Sequence, residues 1–185
     1  MKKITPIQIT FLAFCIVLNI AGAAIALNLR LPIYLDSVGT LLAAAVLGPV
    51  YGVVTGVTGS IVSGITFDIY SLYFMPVQII VGFLGGLMFR RGLMKGFKMP
   101  IGVLIVTLFA SLLGAVIAAF VFGGVTSSGS SYIVVFLSQL GVNKVVSVFI
   151  VQFFTDYADK FVAVLLVRTM TTVMPQTIKL KLVRS

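Results

Sequence analysis

Asp36, Asp68, Asp156 and Asp159 are the only acidic residues in a chain that has neither Glu nor His. The chain around them is 60% hydrophobic, and a carboxylate in such surroundings is costly unless it is paired or solvated. Asp36 stands just before an apolar run. There an Asp oxygen can accept the unpaired amide N–H groups of a helix's first turn. The same oxygen at a polar mouth can touch a ligand, and the two roles are compatible. Tyr34, Ser37 and Thr40 flank it, the last two on one helix face. Asp68 lies among Phe67, Tyr70 and Tyr73, which suits stacking on a planar ligand and equally an interfacial aromatic belt. Asp156 and Lys160 are four apart and are expected to pair along one helix face. Asp159 is then left without a sequence partner, so Asp159 and Asp68 read as the freer ligand contacts. Gln78 and Asn19 are neutral polar residues at membrane depth, where interhelical hydrogen bonds are expected. Thr126, Asn143 and Gln152, in the stretch before the last span, complete the candidate set.

What is absent also argues. No G-x-x-x-x-G-K-[ST] loop occurs, so the chain is not expected to hydrolyse ATP by that route. Without His or Glu, general acid–base catalysis, membrane proteolysis and metal chemistry lack their usual residues. No enzyme activity and no cofactor are expected. The single cysteine, Cys15, sits in an apolar run, so no disulfide framework or metal site is implied.

The elements that must carry these residues are apolar helices. The 185 residues are 9% charged, against roughly a quarter in soluble domains, and mean hydropathy is +1.22. An all-α integral membrane protein is predicted, one domain over residues 1–185. Six transmembrane helices fit, over about 7–27, 36–47, 50–65, 71–89, 101–122 and 156–174. The first apolar segment is too long for a signal-peptide core and is read as a span. Between the fifth and sixth spans lies a long structured outer loop. It opens with Gly123-Gly124-Val125-Thr126-Ser127-Ser128-Gly129-Ser130-Ser131, a helix-breaking run. Apolar pieces 132–140 and 145–154 follow. A break before Asp156 is favoured over one helix from Lys144 to Met170, which would place Asp156, Asp159 and Lys160 at mid-membrane.

The net charge of +9 invites nucleic-acid binding, but the basic residues lie at the ends of apolar segments, as topology determinants do. Ten of the thirteen fall on the side of both termini: Lys2, Lys3, Arg90, Arg91, Lys95, Lys98, Arg168, Lys179, Lys181 and Arg184. Arg30, Lys144 and Lys160 fall opposite. This bias predicts a multi-pass cell-membrane protein with cytoplasmic termini and all four Asp residues toward the outer face. Gly52, Gly56, Ser60 and Gly64 recur every four residues, a stripe fit for close helix packing, internally or against another subunit.

Several segments resemble the S component, the substrate-capturing subunit, of energy-coupling factor vitamin transporters. They are Leu31-Pro32-Ile33-Tyr34-Leu35-Asp36-Ser37-Val38-Gly39-Thr40, Leu47-Gly48-Pro49-Val50-Tyr51-Gly52, Phe122-Gly123-Gly124-Val125-Thr126-Ser127-Ser128-Gly129 and Asp159-Lys160. The resemblance covers nearly the whole chain. It implies that one micronutrient binds in the outer half, within loops joining spans one and two, three and four, and five and six. It implies toppling in the bilayer against a transmembrane coupling subunit, itself attached to two ATPases. Docking in that family uses small residues on the first span, here Ala13-xxx-Val17 and Gly22-xxx-Ala26. A corrinoid such as cobalamin is the first substrate to try. A queuosine precursor follows, since Asp suits its amine and N–H donors, then riboflavin-like or pyrimidine ligands. The competing readings are a self-sufficient channel or secondary transporter, which would want intramembrane ionisable residues or an internal repeat, and a membrane enzyme or assembly factor.

Overall fold

Chains this apolar satisfy their backbone in helices, and among the described residues no strand occurs. The structure is a computed structural model describing residues 4–184. The basic residues Lys2 and Lys3, and the side chain of Arg184, lie outside what is described. The helices are α1 (Pro6–Asn28), α2 (Val38–Val46), α3 (Pro49–Thr66), α4 (Tyr70–Tyr73), α5 (Met75–Arg90), α6 (Met99–Phe122), α7 (Ser131–Gln139), α8 (Lys144–Val173) and α9 (Gln176–Arg184). A 3-10 turn, Gly96–Lys98, leads into α6. Pro6, Pro49 and Pro100 sit in the first turns of α1, α3 and α6, where a missing N–H costs nothing.

Three helical segments are long and apolar enough to cross a bilayer: Pro6–Asn28, Pro49–Thr66 and Gly96–Phe122. A fourth crossing is counted if α8 and α9, bent by 109° at Pro175, act together. Helix α5 is apolar but shorter. These helices fit a membrane protein. Helix α2 has nine residues, about 13 Å of rise, against a hydrocarbon core of about 30 Å. It is the buried centre of the bundle, packed against α1, α3, α5 and α8, with Leu41 and Leu42 among the largest fully buried side chains.

The glycine stripe packs internally. Helices α3 and α5 meet backbone to backbone: a Cβ on Gly82 would lie 2.6 Å from Gly52 C, and one on Gly86 would lie 2.6 Å from Pro49 Cα. Gly56 faces Thr40 and Gln78, and Gly59 faces Asn19. Small residues let these polar side chains reach one another at the bundle's centre.

The expected break before Asp156 is absent. Helix α8 runs unbroken for 30 residues, about 45 Å. Asn143 caps it, Oδ1 accepting from Val145 N at 2.9 Å, and no Gly or Pro interrupts it before Pro175. The charges that argued for a break are buried, and Lys160 pairs with Asp159 and Asp156, which lowers the cost of continuity.

The described chain ends meet at one end of the bundle. Gln8 Nε2 in α1 donates to Leu182 O in α9 at 3.0 Å. Arg168 reaches the start of α6, its Nη1 lying 3.8 Å from Met99 Sδ. This end also carries the connection holding Arg90, Arg91, Lys95 and Lys98.

Candidate functional site

At the opposite end the loop 29–37, the start of α5, the loop 123–130 and the middle of α8 enclose a cavity. It holds about 620 Å³ of unoccupied space, open solvent at its mouth included. Its lining is partly polar, with Asp36, Gln152, Asp156, Asp159 and Lys160, and partly apolar, with Ile33, Phe74 and Val77.

Helix periodicity puts Asp156, Asp159 and Lys160 on one face of α8, turned to this cavity. Lys160 Nζ donates to Asp159 Oδ2 at 2.9 Å and lies 3.6 Å from Asp156 Oδ1. Asp159 Oδ1 accepts from Leu35 N at 2.7 Å, and its Oδ2 accepts from Ser37 Oγ at 3.4 Å. Leu35 has φ +53°, a left-handed conformation that a branched apolar residue adopts only when held there. The Asp159 carboxylate is what holds it. Asp159, 1% exposed, is therefore the best-satisfied acid and not the free contact expected of it. Asp156 pairs with Lys160 through one oxygen only, and its Oδ2 has no hydrogen-bond partner.

Asp68 is also committed. Its Oδ2 accepts from Tyr34 Oη at 3.0 Å, Ser71 Oγ at 3.1 Å and Ser127 Oγ at 3.1 Å, and Tyr34 and Ser127 also touch each other through their hydroxyls. Burial pushes the Tyr34 phenol above its ordinary value, so it stays protonated and donates. This knot ties three connections together. A backbone bond, Gly129 N to Leu31 O at 3.2 Å, and Arg30 Nη1 donating to Tyr132 Oη at 3.0 Å fasten the loop 123–130 further.

Asp36 does not cap α2. The cap position belongs to Ser37, whose side chain makes no cap bond. The first-turn amides are met from α1 instead: Asn19 Oδ1 accepts from Gly39 N at 2.7 Å and Thr40 N at 3.2 Å. Asn19 Nδ2 donates to Thr40 Oγ1 at 2.8 Å, Thr40 Oγ1 to Gln78 Oε1 at 2.9 Å, and Gln78 Nε2 to Asp36 O at 3.3 Å. The expected interhelical bonding of Asn19 and Gln78 is thus present, and Gln78, at the end of this relay, lines the cavity.

Of the sequence candidates, Tyr34, Asp36, Gln78, Thr126, Gln152, Asp156, Asp159 and Lys160 line the cavity. Ser37 and Thr40 are fully buried behind it. Phe67 faces outward at 40% exposure, and Tyr70 and Tyr73 pack around Phe122, ring centroids 4.7 and 5.0 Å away. Asn143 is a helix cap remote from the cavity. The lining also includes Ser71, Phe74, Ser128, Ser130 and Thr155, which sequence reasoning does not select. A run of serines in so apolar a chain is the available signal, since a helix break alone does not require hydroxyls.

The docking candidates separate. Ala26 is 3% exposed and a Cβ on Gly22 would strike the Leu35 backbone, so this pair packs inward. Ala13 and Val17 face outward.

No group of acids, cysteines or histidines among the described residues is arranged to hold a metal ion. No protein-family model, curated protein or solved structure matches the chain.

Proposed function

We propose that this protein is the substrate-capturing subunit of an ATP-driven micronutrient importer, binding its solute in the cavity and delivering it with partner subunits. The observation that carries this reading is the cavity itself, a charged and hydroxyl-lined recess at one end of a bundle otherwise apolar. The loops that the S-component resemblance implies, those between α1 and α2, between α3 and α5, and between α6 and α8, contribute to it together with α5 and α8.

In this reading α1, α2, α3, α5, α6 and α8 are the six crossings, the short ones seated among longer neighbours. An even number accords with the described chain ends lying together. The basic end then faces the cytoplasm and the cavity faces outward. Ala13 and Val17, on the open face of α1, are where a transmembrane coupling subunit docks, and two ATPase subunits supply the energy. The 620 Å³ includes open solvent at the mouth, so the enclosed part is smaller, and a small amine-bearing base or a pyrimidine is favoured over a corrinoid.

The test is uptake by proteoliposomes. With coupling and ATPase subunits present, ATP-dependent uptake of the ligand identified by mass spectrometry of the purified protein is expected. Efficient uptake by this chain alone would refute the reading.

A further inference from the structure

The lining of the cavity is unbalanced: one ammonium, Lys160, faces three carboxylates, Asp36, Asp156 and Asp159. Asp159 consumes most of the available compensation. It takes the short contact with Lys160, the Leu35 amide and the Ser37 hydroxyl. Asp156 receives the longer 3.6 Å contact with Lys160 on Oδ1 and an approach from the Gln152 side chain. Asp156 is 9% exposed as a residue and 12% in its side chain, and its Oδ2 has no hydrogen-bond partner. A buried carboxylate oxygen left unpaired is costly, and more so where negative charge is in excess. Asp159 and Asp68 each hold the fold together, the first by fixing Leu35 and the second by tying three loops. Asp156, which lines the cavity, leaves its Oδ2 without a hydrogen-bond partner.

We propose that the cavity receives a ligand bearing a positively charged, N–H-donating group, such as an amidinium, a protonated amine or an aminopyrimidine, which Asp156 Oδ2 accepts. This rests on the reading of the cavity as a solute site and names the chemistry of its solute. A charge-assisted N–H···O bond supplies what the free oxygen lacks. Asp36 in the same lining adds attraction, and Phe74 and Ile33 offer apolar faces for the flat part of the molecule. An anionic solute would instead meet excess negative charge with its one cation already taken by Asp159.

The experiment uses the full chain in detergent and three near-isosteric probes: benzamidine (cation), benzamide (neutral) and benzoate (anion). Binding is read by calorimetry and by thermal unfolding. Benzamidine is expected to bind and raise the melting temperature, and the other two to bind at least about tenfold more weakly. Asp156→Asn is expected to weaken benzamidine about ten- to a hundredfold. Should that variant fail to fold, Asp36→Asn serves, with a weakening of several fold. Equal or tighter binding of benzoate or benzamide, no binding of benzamidine, or undiminished benzamidine binding in a folded variant would each overturn the proposal. The importer reading stands apart from this. Charge-selective binding with partner-independent uptake would sink the importer and spare the cation site. ATP-dependent uptake of a solute with the opposite charge preference would do the reverse.

Discussion

Lys160 keeps its charge inside the helix bundle because Asp159 meets it at 2.9 Å and Asp156 at 3.6 Å. The two acids nevertheless do different work, and substitutions should separate them. Asp159→Ala removes the Leu35 and Ser37 bonds and leaves Lys160, 4% exposed, short of its closest counter-charge. A loss of about 3–5 kcal/mol is expected, read as a large drop in melting temperature in detergent. Asp156→Asn leaves the Asp159 contacts intact and should cost about 1 kcal/mol, with its main effect on ligand. If Asp159→Ala melts like wild type, the Leu35 latch is not structural. At this scale the sequence supplied the residue types and the four-residue spacing of Asp156 and Lys160. It could not supply the partner of Asp159, because Leu35 N lies far away in the chain. The same holds for two of the three hydroxyl partners of Asp68, Tyr34 and Ser127, while Ser71 is only three residues on.

Helices α3 and α5 approach closely because glycines face each other, and single substitutions probe that contact. Gly82→Ala drives a Cβ to 2.6 Å from Gly52 C and Val53 N. Backbone cannot yield there, so the helices must part, at about 1–3 kcal/mol. Gly114→Ala meets only the Gln152 side chain, at 3.3 Å, and should be close to neutral. Chemical unfolding of both variants checks the contrast. The loop 123–130 offers a third case. Gly129→Ala places a Cβ 2.7 Å from Leu31 O, which should break the Gly129 N bond and loosen the cavity's cover. Faster amide exchange across 123–130, with α1 and α6 unchanged, is the expected signature. The α3 stripe was legible from its four-residue spacing, but whether it met a neighbour in the same chain or another subunit was not. Continuity of α8 was hidden for a related reason: the cost of its charges depends on what faces them.

The molecule as a whole is polarised, with basic turns at one end and the acidic cavity at the other. Two engineered cysteines test which end faces out, since native Cys15 is fully buried and should stay silent. Phe97→Cys lies in the fully exposed turn before α6, and Leu140→Cys, 65% exposed in the native residue, lies after α7. In intact cells a membrane-impermeant maleimide is expected to label Leu140→Cys and spare Phe97→Cys until the cells are opened. The reverse pattern would invert the topology and place the cavity inside.

The sequence by itself determined the apolar character of the chain, its helical class and the separation of basic residues from acids. These follow from composition and local periodicity, which need no neighbour to be read. Only the tertiary structure decided which acids are spoken for. Pairing, burial and the unpartnered Asp156 Oδ2 depend on residues from distant parts of the chain meeting at a few ångströms, and the strength of each charge is set by what it meets there.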